Sequence, residues 1–301
     1  MTLRLGARGS ALSLAQAALV SEALAGFARV DIVTVKTTGD RLSAAGSPIE
    51  WKGDFTKELD EALLDGRIDI AVHSLKDVPA ELPEGLALAA VPMREDPRDV
   101  LVSHPRRSFA ELPSDSRIGT SSPRRRAQLL ASRSDIDVRD ARGNVDTRIR
   151  RLHEGRWDAI VLARAGLARL GRLEEVSEIF PESVLLPAPG QGALAIVARR
   201  EDRETLDLMR GLDHIGSHQE VIAERSFLAA LGAGCRAPVA GRARVTDGAL
   251  LLAGGVFSTD GARVLRGELG GPAEDAQSIG GRLAGDLLER GASALIAETL
   301  A

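Results

Sequence analysis

Residues 68–79 read Ile68-Asp-Ile-Ala-Val-His-Ser-Leu-Lys-Asp-Val-Pro79. The first five have the length and apolar character of a short buried β-strand, and the run stops at polar and charged residues closed by a proline. If this strand belongs to an open α/β sheet, His73, Ser74, Lys76 and Asp77 fall where ligands of such sheets bind, at the carboxyl end of a strand. Asp77 is then a candidate carboxylate held in a cleft by neighbouring cations, able to stabilise a developing positive charge or to move protons. An exposed ion pair between Lys76 and Asp77 is the plainer reading of the same residues.

Outward from this strand the pattern alternates. Residues 3–7 predict a strand, Ser10 an N-cap, 11–25 a helix and 30–35 a second strand. Residues 37–53 carry Gly, Ser and Pro without periodicity and predict a loop. Asp54 then caps a helix whose stripe is Phe55, Leu59, Ala62 and Leu63, ended by Gly66. A strand at 86–91 closes the first α/β set. After Asp96 the pattern repeats, with strands at 100–102, 118–119, 136–139 and 159–162 and helices at 123–132 and 145–154. Two successive sets predict two open sheets with a cleft between them. Beyond Ala240, strands at 242–245, 250–257 and 263–269 predict an antiparallel meander, followed by helices at 274–290 and 293–300.

A chain of 301 residues predicts two or three domains. No apolar run is long enough to span a bilayer, and the N-terminus lacks a basic head followed by an apolar stretch, so a cytosolic chain without a secretory signal is expected. The single cysteine cannot form an internal disulfide. Net charge is −4, yet residues 117–156 hold eleven Arg against five Asp and Glu. That stretch attracts a polyanion. A nucleic acid is a poor candidate, because such proteins commonly stack bases on aromatics and this stretch has none.

Four further segments carry chemistry. In Gly119-Thr-Ser-Ser-Pro-Arg-Arg-Arg126, Ser122 caps a helix and Pro123 takes its first position, so free N–H groups, hydroxyls and guanidiniums collect where a carboxylate could bind. A capped helix with solvated arginines is the alternative. In Arg142-Gly-Asn-Val-Asp-Thr-Arg148, Asn144 caps a helix, Asp146 suits its positive end, and Arg148 lies along the apolar stripe Val145, Ile149, Leu152. An inward Arg needs an anion, either a ligand or a structural Asp. Pro187-Ala-Pro-Gly-Gln-Gly-Ala193 reads as a crossover between domains. Gly232-Ala-Gly-Cys-Arg-Ala-Pro238 surrounds the thiol with small residues, and Arg236 favours the thiolate. A buried inert Cys235 is equally open.

Taken in order, Arg8-Gly-Ser10, Ala71 through Pro79, Arg94-Glu-Asp-Pro-Arg98, Gly119-Thr-Ser-Ser122, Arg142-Gly-Asn-Val145, Gly190-Gln-Gly-Ala193 and Gly234-Cys235 resemble the hydroxymethylbilane synthase (porphobilinogen deaminase) family from end to end. The resemblance implies three domains: residues 1–93 with 193–212, residues 98–187, and residues 215–301. The first two should resemble the lobes of a type II periplasmic binding protein, and the third a small antiparallel sheet with helices. It implies a monomeric cytoplasmic transferase that condenses four porphobilinogen molecules with loss of ammonia on a dipyrromethane cofactor held by Cys235, then releases the linear tetrapyrrole. No metal, membrane or nucleic acid is implied.

By position, Asp77 would be the catalytic carboxylate. Lys76, Ser74, Ser121, Arg124, Arg125, Arg142 and Gly143 would hold the cofactor beside Cys235. Arg8, Ser10, Arg148, Arg169 and Gln191 would bind substrate, and Lys52 and Phe55 would belong to a lid. Two departures stand out. Glu50-Trp-Lys-Gly-Asp-Phe55 replaces the family's usual Gly-Gly-Lys-Gly-Leu-Phe, and Pro123 stands where an aliphatic residue is usual. A non-catalytic two-lobed anion-binding protein is the alternative function.

Overall fold

A computed structural model describes residues 2–38, 56–233 and 237–298. In chain order its elements begin with β1 (Thr2–Arg8), α1 (Ala11–Leu24), β2 (Arg29–Val35), α2 (Lys57–Leu64), β3 (Ile70–Ser74), β4 (Leu86–Ala90) and β5 (Asp99–Ser103). Next come β6 (Arg117–Gly119), α3 (Pro123–Ser132), β7 (Asp137–Arg139), α4 (Val145–His153), β8 (Ala159–Ala163), α5 (Arg164–Arg169) and β9 (Glu178–Ile179). β10 (Leu194–Arg199), α6 (Arg203–Met209), α7 (Ile215–Ala230), β11 (Val239–Thr246), β12 (Ala249–Phe257), β13 (Val264–Pro272), α8 (Ala276–Glu289) and α9 (Ala292–Glu298) complete it. The strand read at 68–72 is shifted to Ile70–Ser74, because the turn after α2 takes up Ile68, whose N–H donates to Ala62 C=O. Asp54 and Phe55, read as the start of α2, lie outside the described residues. Thr56 precedes that helix without a side-chain cap.

The described residues form two compact units, residues 1–95 with 192–218 and residues 96–191 with 219–301. The first contains a five-stranded sheet of order β2-β1-β3-β10-β4. β1 is parallel to β2 and β3, whereas β10 runs antiparallel to both β3 and β4. One face of alternating residues, Leu3, Leu5 and Ala7 with Ile70 and Val72, buries against Ala17, Val20 and Leu24 of α1. On the other face Gly6 admits α2, because a Cβ there would lie 2.3 Å from Ile68 Cδ1 and 2.9 Å from Leu59 Cδ2. Fully burying one leucine of such a core stabilises by roughly 1.5–3 kcal/mol.

The second unit holds a five-stranded sheet of order β7-β6-β8-β5-β9, with the same pattern of two parallel pairs followed by two antiparallel pairs. The two open sheets expected from the sequence are thus both present, and their strand orders correspond. Strand alternation places helices on both faces of the second sheet. Leu101, Ala159 and Val161 pack with Leu129 of α3, while Val100, Val102, Ile160 and Leu162 pack with Ile149 and Leu152 of α4 and Leu167 of α5. The same unit contains the meander β11-β12-β13, covered by Phe227 of α7 and by Ile279, Leu283 and Leu287 of α8. Phe257 and Ala240 of the meander bury against Ala127 of α3 and Leu186.

Candidate active site

In the first unit, β3 runs into a 3-10 turn, Leu75–Asp77, fixed by Val78 N–H donating to Leu75 C=O (3.0 Å) and Leu75 N–H donating to Ala193 C=O (3.0 Å). Lys76 and Asp77 sit half-buried on that turn. Arg8 ends the neighbouring strand β1, and its backbone N–H donates to Ser13 Oγ at 2.9 Å. Ser10 caps α1, its Oγ accepting from Ser13 N–H at 3.3 Å. Ser74 Oγ accepts from Gln16 Nε2 at 2.8 Å. Arg8, Ser10, Gln16, His73, Ser74 and Asp77 line one pocket at these strand ends, so the structure gathers four predicted residues there.

Ser13 and Gln16 were not singled out from the sequence, and His73 was named there only within the polar run that ends the strand, with no role of its own. A signal existed for two of them: Ser13 and Gln16 occupy the first positions of the buried stripe Ser13, Gln16, Ala17, Val20, Leu24, where an ordinary core helix would carry apolar residues. His73 is buried, and burial, aided by the Arg8 charge and opposed by Asp77, pushes it down to about 4. It is neutral at neutral pH, and its buried Nε2 has no hydrogen-bond partner among the described residues.

In the second unit, Ser122 Oγ accepts from Arg125 N–H at 3.4 Å and Pro123 opens α3, as the sequence predicts. The arginine side chains behave differently from the expected open guanidiniums. Both turn inward onto Asp99, the fully buried first residue of β5. Arg124 Nη1 donates to Asp99 Oδ2 (2.7 Å) and to Leu186 C=O (2.7 Å). Arg125 donates from Nε (3.0 Å) and Nη2 (2.7 Å) to Asp99 Oδ1, and from Nη1 to Val161 C=O (2.9 Å). Gln191 Nε2 adds bonds to Asp99 Oδ1 (2.9 Å) and Pro97 C=O (2.6 Å). Burial alone would raise the Asp99 carboxyl, but the two guanidiniums hold it well below the usual carboxylate range. Two cations share one anion, so this buried hub keeps a surplus of one positive charge.

Ser121 is exposed, and its Oγ accepts from Ala141 N–H at 3.1 Å, tying the turn before α3 to the loop before α4. In that loop Arg142 Nε donates to Asp140 Oδ2 at 3.1 Å, on a largely exposed pair. Gly143 has φ 109°, and a Cβ there would lie 3.0 Å from Thr147 Cγ2, so only glycine fits without strain. Asn144 Oδ1 caps α4 by accepting from Thr147 N–H at 3.0 Å. Arg148 is half-buried on α4, and Arg169 is half-buried at the end of α5. Lys52, Phe55 and Cys235 lie outside the described residues.

Comparison with known proteins agrees across the chain. Residues 3–207 match the family model described as porphobilinogen deaminase, dipyromethane cofactor binding domain, and residues 218–289 match the porphobilinogen deaminase C-terminal domain. The porphobilinogen deaminase of Syntrophomonas wolfei is 48% identical over 301 residues, covering 99% of this chain and 98% of its own. That of Rubrobacter xylanophilus is 50% identical over 297 residues, covering 98% and 96%. Among solved structures, the BvgS periplasmic VFT2 domain of Bordetella pertussis matches 70% of this chain and 86% of its own at 15% identity and a TM-score of 0.42. Among the described residues no helix is long and apolar enough to cross a membrane. With two family models covering most of its length and relatives near half identity over nearly all of it, this chain belongs to the porphobilinogen deaminase family.

Proposed function

We propose that the chain is a hydroxymethylbilane synthase, joining four porphobilinogen molecules head to tail with loss of ammonia. The observation that carries this reading beyond family membership is the pocket in which Asp77 meets Arg8, Ser10 and Ser74 at the ends of β1 and β3. Arg8 and Ser10 bind substrate carboxylates there, while Asp77 faces the pyrrole nitrogen and stabilises the positive charge that develops on it as the new carbon–carbon bond forms. The same carboxylate is placed to take part in proton transfer. Neutral His73 adds no competing cation beside it.

Arg142, Arg148, Arg169 and Gln191 complete the carboxylate-binding set, with Lys52 and Phe55 as the lid. The residues also suit an anionic cofactor. The surplus charge of the Arg124–Arg125–Asp99 hub favours an anion, and Gly143 leaves its backbone without a side chain beside Ser121 and Arg142. Lys76, Ser74, Ser121, Arg124, Arg125, Arg142 and Gly143 would hold it. A dipyrromethane joined to Cys235 through a thioether supplies a primer and an anchor for the growing chain. We assign Cys235 to a third domain, residues 215–301, beside domains at 1–93 with 193–212 and at 98–187.

The test combines mass and kinetics. Intact protein should exceed its sequence mass by two porphobilinogen units less two ammonia molecules, and Cys235→Ser should lack that excess. Asp77→Asn should retain the adduct and lose turnover by about 100-fold or more, the scale of a lost general acid–base or electrostatic group. Adduct-bearing Asp77→Asn with normal turnover would remove Asp77 from catalysis. A chain that gains no adduct on incubation with porphobilinogen would overturn the activity.

A further inference from the structure

On α4 and just after α5, the second unit holds a cluster of charges that the reaction does not use. Arg172 splits its guanidinium between two acids, Nη1 reaching Asp146 Oδ1 at 2.7 Å and Nη2 reaching Glu175 Oε1 at 2.7 Å. Glu175 Oε2 lies 3.6 Å from His153 Nε2. Asp146 sits in the first turn of α4 and His153 in its last, seven residues apart and hence on one side of the helix about 10 Å from each other. The Arg172–Glu175 pair therefore spans α4 nearly from end to end. At its other side the strap is tied to α5: Gly171 turns the chain with φ 66°, and Arg172 N–H donates to Leu167 C=O at 2.8 Å.

The consequence concerns two arginines on the helices that the strap joins. Arg148 follows Asp146 by two residues on α4, and Arg169 precedes Arg172 by three at the end of α5. The apolar contacts of both helices, Ile149, Leu152 and Leu167 against the sheet, are non-directional and resist sliding or rotation weakly. A forked guanidinium bridging two carboxylates sets direction and distance together. We infer that Arg172 is a positioning residue that fixes α4 against α5 and so holds Arg148 and Arg169 at the separation needed to grip substrate carboxylates. This rests on the reading of Arg148 and Arg169 as substrate ligands given above.

The experiment uses holoenzyme bearing the adduct and steady-state kinetics with porphobilinogen. Arg172→Met should raise KM about three- to tenfold while kcat changes less than about twofold, as expected when ground-state binding geometry is loosened. Arg172→Lys should recover part of the loss, since an ammonium cannot span both acids in one plane. Asp146→Asn should reproduce the KM effect, and Asp146→Asn with Arg172→Met should be no worse than either alone. A wild-type KM in Arg172→Met, or additive losses in the double variant, would overturn the inference. If Arg172→Met does not fold, Arg172→Lys and Asp146→Asn decide it by the same KM criterion. Arg148→Met, measured alongside, separates the two ideas. An unchanged KM there overturns the substrate reading and the inference with it, whereas a raised KM beside a normal Arg172→Met sinks the inference alone.

Discussion

Asp99 shows how much one residue can organise. Its carboxylate accepts from Arg124, Arg125 and Gln191, and so ties β5, α3 and the crossover at Gly190–Gly192 to one buried point. Gly190 N–H is held in the same crossover by Glu224 Oε2 at 2.6 Å. Such a hub contributes little net stability while intact, because desolvation offsets the attraction, but it is expensive to break from one side. Asp99→Asn leaves two guanidiniums buried against a neutral amide. We expect a loss of about 3–5 kcal/mol in unfolding free energy by chemical denaturation. A loss below about 1 kcal/mol would mean that solvent reaches the arginines.

At the scale of elements, α2 carries an acid that opposes its own burial. Asp60 lies on the buried side of that helix, and burial pushes its carboxyl up to about 6, with a Thr56 hydrogen bond pulling the other way. A carboxyl whose folded pKa is raised contributes stability that is present below about pH 4 and lost as pH rises through about 6. Above that, the ionised side chain is a net burden on the helix. Asp60→Asn should therefore stabilise the protein by about 1–2 kcal/mol at pH 8 and leave it unchanged near pH 4, a discounted share of the roughly 1.4 kcal/mol per pKa unit. Stability curves of the two proteins that run parallel from pH 4 to 8 would refute it. In β5 the buried acid is tuned differently: Val100 to Val102 form an apolar run, and Asp99 before them is held ionised by Arg124 and Arg125.

For the molecule as a whole, the meander and the second sheet behave as one compact unit because a few contacts between them have no slack. Gly261, in the turn between β12 and β13, is the tightest. It has φ 74°, and a Cβ there would stand 2.4 Å from Ala127 O and 2.5 Å from Ala131 N, both backbone atoms of α3. Arg266 Nη2 of β13 adds a second tie to α3 by donating to Gln128 Oε1 at 3.1 Å. Gly261→Ala must either strain the turn or lift it from α3. We expect a loss of about 2–3 kcal/mol in stability, and hydrogen exchange should rise first in α3 and in residues 258–263. Unchanged exchange there would show that the turn is not what joins the two parts.

The periodicity of apolar residues and the chemistry of helix ends were enough to place most elements. Ser122 and Pro123 marked the start of α3, Asn144 that of α4, and the strands of both sheets other than β9 and β10 stood within two residues of their apolar runs, because capping and burial are local demands written in neighbouring residues. The motif order was enough for the family. Four things were decided only by folding. The short helix α5 and the two-residue strand β9 carry too few turns or residues for a period to register, and the apolar run of β10 gains its place in the first sheet only by pairing with β3 and β4. The pairing of Arg124 and Arg125 with Asp99 joins residues 25 and 26 positions apart. The bond from Gln16 to Ser74 spans 58, and the bridge from Arg172 to Asp146 spans 26. A charged side chain written in a sequence has no partner until the chain returns to it, so which arginines are held inside and which meet a ligand is a property of the tertiary structure alone.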